Sequence, residues 1–182
     1  MRYSLKNGKA VEVRLLHQTD SQKLFEYFDI HFSKESKSRY GPHPFDSDTI
    51  NAICQNPNGQ TSRYVALDEE GNIVAYMLIR QGMIEWDKER YALRNQSYDH
   101  HSSVTFAPSV ADAWQSSGLG SFMTSMIEDL LRKRNIRKII LWGGVQATNE
   151  KAVNFYKKLG YEYIASFRHD GKDNYDMAKS LK

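Results

Sequence analysis

The stretch VADAWQSSGLGSFM, residues 110–123, holds the residue types and spacing best suited to chemistry. Gly118 and Gly120 stand where an apolar helical rhythm begins. Glycine weakens a helix by about 1 kcal/mol relative to alanine, so its place there asks for a reason. The first amides of a helix have no intrahelical partner and lie at the positive end of its dipole. With no Cβ in the way, an anion comes down onto them. Ser116, Ser117, Gly118, Leu119, Gly120 and Ser121 thus offer successive N–H groups to a phosphate. The plain alternative is a tight strand-to-helix turn with no ligand. The spacing is not the dinucleotide fingerprint, because the third glycine of G-x-G-x-x-G falls at Met123. A second anion contact is offered by RKRNIRK, residues 132–138, with five basic residues in seven. Those cations equally suit the C-terminal end of a helix dipole.

Several elements must position this loop. Residues 102–111 read as a strand, bulged or splayed near Pro108, which cannot donate to a ladder. After the glycines, Leu119, Phe122, Met123, Met126, Ile127, Leu130 and Leu131 follow a helical period. KIILW, 138–142, reads as a short buried strand. Thr148 or Asn149 caps a helix carrying Ala152, Val153, Phe155, Tyr156 and Leu159, and Gly160 stops it. Residues 162–168 and 174–181 form a closing hairpin over HDGKD.

Upstream, VEVRLL (11–16) is an opening strand, and Asp20 is expected to cap a helix through Phe28. HFSKESKSRYGPHPF (31–45) reads as helix and loop, followed by a short helix over 46–54. Residues 62–67 and 72–80 make a hairpin across DEEG. Residues 81–101 are a long connection with a short helix around Asp87 to Leu93, and such connections often carry function. The sum is an α/β, mixed sheet with helices packed on it, in a single domain over 1–182.

Val110, Asp112, Trp114-Gln115, Gly118, Leu119 and Gly120 resemble the signature V-x-P-x-[aromatic]-[Gln/Arg]-x-x-Gly-x-Gly of the GCN5-related N-acetyltransferase (GNAT) family, with Asp112 in the place of the proline. Asn149, Ala152, Phe155-Tyr156 and Leu159-Gly160-Tyr161 resemble that family's second motif. The strong match covers residues 102–168, and the order of elements extends it over the rest. The resemblance implies a single-domain acyl-CoA N-acyltransferase fold, with a mostly antiparallel sheet of six or seven strands and a splayed central strand. It implies acetyl-CoA as cofactor. The pyrophosphate would sit on amides 116–121, beside Gln115, and the pantetheine arm would pair with Ser109 and Val110 like an added strand. Arg132, Lys133 or Lys157 would meet the 3′-phosphate. Asn149 would contact the cofactor or simply cap its helix.

The implied reaction is direct transfer of an acetyl group to a primary amine of a small molecule or peptide. An amine with a pKa near 10.4 is mostly charged at neutral pH, so a base or a water chain is needed. The Val110 amide is the expected donor to the carbonyl oxygen. Tyr156 stands where the family has its tyrosine acid, and it also suits a plain core position. The base is less marked. The branch acting on protein N-termini has a glutamate five residues before the motif asparagine, where this chain has Gly144, so that branch is disfavoured. Glu85, Asp99, His100 and His101 remain, with His101 carried forward as a candidate catalytic residue because imidazole titrates near neutrality. Arg39, Tyr40, His43, Trp86 and Tyr91 are candidates to line the acceptor pocket. The rival reading is a catalytically silent acyl-CoA-binding sensor or partner module; a weaker one is a nucleotide-binding module using the same amides.

Whole-chain properties agree with this. A net charge of +3 is too mild to indicate nucleic acid, and no apolar run reaches the roughly 20 residues of a membrane span. MRYSLKNGKAVEV has no apolar core of a signal peptide, and the lone Cys54 excludes an internal disulfide, so the cytoplasm is the expected compartment. Cys54 itself reads as a small buried hydrophobe. No metal site is expected, and a homodimer is left open.

Overall fold

The structure, a computed structural model, describes residues 2–5 and 8–182; positions 1, 6 and 7 of the N-terminal stretch lie outside it. Contacts gather the chain into two compact units, Met1–Ile79 with Pro108–Met126, and Arg80–Ala107 with Ile127–Lys182. The first unit holds β1 (Arg2–Ser4), β2 (Ala10–Leu15), α1 (Ser21–Ile30), α2 (Lys34–Arg39), α3 (Ser47–Gln55) and β3 (Thr61–Leu67). Most of β4 (Ile73–Gln81), the end of β5 (Ser103–Val110) and the first turns of α5 (Leu119–Lys133) also belong to it. The second unit holds the remainder of those three elements. To these it adds α4 (Glu85–Ala92), β6 (Lys138–Leu141), β7 (Val145–Gln146), α6 (Glu150–Lys158), β8 (Glu162–His169) and β9 (Lys172–Ser180).

The strands follow the order β1-β2-β3-β4-β5-β6-β9-β7 in one open sheet, with β8 also paired to β9. β5 and β6 are parallel, whereas β1–β2, β2–β3, β6–β9, β7–β9 and β8–β9 are antiparallel. Among the described residues the sheet has nine strands rather than the six or seven expected. The additions are β1, three residues long, and β7, two residues long, both too short to show an alternating pattern. No helix among the described residues is long and apolar enough to cross a membrane.

Local causes are plain in most elements. Asp46 accepts from Thr49 N at 2.8 Å and so caps α3. Helix α5 buries Leu119, Met123, Ile127 and Leu131, one stripe spaced by single turns. Gly160 ends α6 at φ +85°, a conformation that favours glycine. Asp20 departs from the expectation. It stands at the start of α1, but its carboxylate is taken by Arg14 at 2.6 and 2.8 Å and by His17 N at 2.8 Å. A buried carboxylate with a guanidinium in reach prefers that charged pair to a lone cap.

The β5–β6 ladder runs from Ser103↔Lys138 to Phe106↔Leu141. Its last rung is Trp142 N to Phe106 O at 2.9 Å. The next donor on that edge of β5 would come from residue 108, which is proline. The ladder stops there, and Gly143 and Gly144, at φ +64° and +70°, turn the other chain aside toward β7.

Candidate active site

The glycine loop lies wholly in the first unit. Ala111 N donates to Val74 O of β4 at 2.9 Å, so by strand alternation the Val110 amide points away from β4. Ser109 is buried, donates through Oγ to Tyr76 O at 2.9 Å and accepts from Tyr27 Oη at 3.0 Å. A tight 3-10 turn, Asp112–Trp114, follows. Ser117 Oγ then reaches back to Trp114 O at 2.6 Å and forward to accept from Leu119 N at 3.3 Å. Gln115 Nε2 donates to Asp112 Oδ1 at 3.0 Å.

Ser116 and Gly118 both have left-handed backbones, at φ +63° and +90°. Such a run points several amides to one side, an anion-binding concavity. The first rung into α5 is Phe122 N to Gly118 O at 3.0 Å. Among the described residues, no backbone carbonyl takes the amides of Ser116, Ser117, Gly118, Gly120 or Ser121. A Cβ added at Gly118 would meet nothing within 4 Å, so the loop is open at that point. Open amides, left-handed backbone and a helix start together fit a pyrophosphate.

Asp112 ties this loop to its neighbour. Its carboxylate accepts from Ser33 N at 3.0 Å and Ser36 Oγ at 2.6 Å, and its own amide donates to His31 O at 3.1 Å. The start of α2 is therefore held by the residue that replaces the motif's proline.

The remaining candidates for the catalytic and cofactor roles belong to the second unit. Tyr156 is buried in α6, between the rings of Phe155 and Tyr161 at 5.4 and 5.3 Å. Burial pushes its phenol well above the ordinary range, so it stays protonated. Asn149 Oδ1 accepts from Ala152 N at 3.2 Å, which makes it the helix cap. His101 is exposed in the turn before β5; its amide donates to Asp99 Oδ1 at 3.0 Å and its ring meets that of His100. Asp99 also takes Ser102 N, and the Ser102 hydroxyl, with these amides, holds its carboxyl below the usual range. Glu85 is paired with Lys88 at 2.8 Å. Among the described residues no hydrogen bond or ring contact joins Tyr156 to Glu85, Asp99, His100 or His101. Arg132 pairs with Glu128 and Asp129, an ordinary helix-end arrangement. A Cβ at Gly144 would come within 2.6 Å of Tyr175 O, so a glutamate has no room there.

The expected acceptor residues are divided between the two units. Arg39 pairs with Glu35 at 2.6 Å. Trp86 and Tyr91 lie on α4, where the Arg90 guanidinium sits 3.9 Å from the Trp86 ring and 4.0 Å from that of Phe167. Arg90 bonds Asp87 and Asp176, each at 2.7 Å, and Asp87 also takes Gly143 N at 3.2 Å. Sequence reasoning placed a short helix around Asp87 to Leu93 but singled out neither Arg90 nor Asp176. Tyr40 and His43 join one aromatic group with Phe28, Phe45 and Tyr76 in the first unit. Tyr27 and Tyr76, which bear on Ser109, were not singled out by the sequence, because each sits in an ordinary apolar run. Among the described residues no group of three or more His, Cys, Asp or Glu could hold a metal ion.

A model of the acetyltransferase (GNAT) family matches residues 22–161. The GNAT domain of S. lividans PAT is similar in fold, with a TM-score of 0.78 at 20% identity, over 100% of this chain and 96% of that one. The ribosomal-protein-S5-alanine acetyltransferase from Vibrio fischeri superposes at 0.73 and 13% identity, over 100% and 97% of the two chains. AAC(6')-Ib, solved in complex with paromomycin and AcetylCoA, gives 0.70 at 17% identity over 93% of each chain.

Proposed function

The chain belongs to the acetyltransferase (GNAT) family, and from that premise we propose that it transfers an acetyl group from acetyl-CoA to a primary amine of a small molecule or peptide, residues 1–182 acting as one catalytic domain. The observation that carries this is the loop of open amides at Ser116, Ser117, Gly118, Gly120 and Ser121, with left-handed backbone at Ser116 and Gly118. Bound acetyl-CoA supplies an activated thioester.

The loop amides and the N-terminus of α5 hold the pyrophosphate, with Gln115 fixing the loop from the side. Ser109 and Val110 present the strand end along which the pantetheine arm is added. The Val110 N–H, turned away from β4, donates to the carbonyl oxygen as charge gathers there. Asn149 fixes the start of the helix that carries Tyr156. A thiol has a pKa of about 8.5, below that of the buried phenol, so full proton transfer from Tyr156 is uphill. Tyr156 acts as a hydrogen-bond donor that steadies the leaving sulfur. His101, exposed in its turn, is retained as the sequence's base candidate.

Among proteins of similar fold, one is named a spermidine N-acetyltransferase and another was solved with paromomycin, so no acceptor is transferred from them. The exposure or pairing of every base candidate drawn from the sequence favours one second reading, an acyl-CoA-binding module without turnover. The test is Gly120→Glu, which places a carboxylate among the phosphate-binding amides. Calorimetry should show acetyl-CoA binding by the wild type and none by the variant; equal affinity for both removes the loop from the account. Thiol release with an amine panel then separates enzyme from silent module.

A further inference from the structure

The aromatic group of the first unit contains buried polar side-chain atoms. Phe28 is fully buried at its base, and its ring meets those of Tyr40, His43, Phe45 and Tyr76 at 5.8, 5.4, 4.7 and 5.6 Å. The His43 ring lies 5.9 Å from that of Tyr40 and 5.8 Å from that of Tyr76. Among the described residues, Tyr40 Oη, His43 Nε2 and Tyr76 Oη are buried with no partner in hydrogen-bond geometry, Ser109 lying near Tyr40 Oη and Arg63 near Tyr76 Oη. A buried polar atom without a well-aligned partner is costly, so three around one ring call for a ligand rather than a packing accident.

His43 has a fixed tautomer. Nδ1 stands 2.7 Å from Pro44 O, and a carbonyl can only accept, so Nδ1 carries the proton and Nε2 presents a lone pair. Burial, the largest influence, favours the neutral ring, and Arg63 on β3 adds to it. The Pro44 carbonyl and Asp46 oppose them without prevailing; the Asp46 carboxylate is already taken by Thr49 N and Oγ1. Tyr40 and Tyr76 face the ring as neutral phenols, and Phe28 of α1 brings no charge. The group also borders the reacting strand end. Ser109, next to Val110, is bonded to Tyr76 O and to Tyr27 Oη.

We propose that this group is the acceptor site and that His43 is the general base, with the Tyr40 and Tyr76 hydroxyls as further partners of the amine. It rests on the acetyltransferase reading above. A bound ammonium gives one proton to His43 Nε2. The freed lone pair forms the C–N bond to the thioester carbonyl carbon, and the C–S bond breaks. The second N–H proton goes to the departing CoA sulfur, and His43 returns its proton to solvent. The aromatic walls and the nearby Arg63 cation suit a primary amine on an apolar body with no second positive charge.

The test uses the full chain with 2-phenylethylamine and spermidine as acceptors, thiol release as readout, and calorimetry with acetyl-CoA alongside. 2-Phenylethylamine should be acetylated with the higher kcat/KM, with an acid-side break below the usual imidazole pKa of about 6.5. His43→Gln should lower kcat on the order of 100-fold and abolish that break, with acetyl-CoA affinity kept as proof of folding. Tyr40→Phe should raise the amine KM several-fold and keep the break. A His43→Gln enzyme with wild-type kcat and pH profile overturns the proposal. So does preference for spermidine, or acetyl-CoA binding without turnover of 2-phenylethylamine. Wild-type protein that fails to bind acetyl-CoA removes the acetyltransferase reading itself, a separable result.

Discussion

Gly118 separates the two demands that a glycine can answer. Space around its missing Cβ is open, but its φ of +90° is not one that side chains adopt readily. The penalty for a substitution is therefore conformational, roughly 1–2 kcal/mol for an ordinary residue. Gly118→Ala should lower both thermal stability and acetyl-CoA affinity, and Gly118→Asn, which tolerates the left-handed region, should lie nearer the wild type in melting and titration alike. Asp20 offers a pH test. Burial pushes its carboxyl up, but Arg14 and the His17 amide outweigh this and hold it below the usual range. A depressed carboxyl contributes stability that is complete above the unfolded pKa of about 3.9 and is lost as pH falls through the folded value. Asp20→Asn should destabilise the chain at pH 7 by about 2 kcal/mol and flatten the acid side of the stability curve, as denaturant titrations would show. Gly118 was singled out by the sequence, whereas Asp20 was read as a helix cap and is instead the partner of Arg14. His43 was legible only as a pocket candidate, because its orphan nitrogen depends on Phe28, Tyr40 and Tyr76 arriving from distant parts of the chain.

At the scale of elements, Pro108 and Asp112 do most to shape the site. Pro108 was readable from the sequence as an interruption, and the β5–β6 ladder does end at Phe106, just before the missing donor. Asp112 was visible only as a departure from a proline. Its use as the anchor of α2 depends on Ser33 and Ser36, nearly eighty residues away in sequence. Asp112→Ala removes these bonds and should destabilise the protein by about 1–2 kcal/mol, with faster amide hydrogen exchange across Lys34–Arg39. Exchange unchanged in α2 would mean that its packing, not the carboxylate, holds it. The two unforeseen strands carry the same lesson, since β1 and β7 are too short to repeat a pattern and exist because a neighbouring strand offers them an edge.

Across the whole molecule, each unit has its own polar keystone. In the second unit the Arg90 guanidinium holds Asp87 and Asp176, two carboxylates that are almost fully buried. Arg90→Met would leave both without their cation and should lose about 3–5 kcal/mol, far more than a surface pair contributes. In the first unit the corresponding place is the open loop, and there the account is most exposed to test. Titration calorimetry of the wild-type chain with acetyl-CoA, and with ATP as control, addresses it most directly. The account predicts saturable binding of acetyl-CoA, none of ATP, and loss of the signal in Gly120→Glu. Absence of acetyl-CoA binding, or equal binding of ATP, would contradict it.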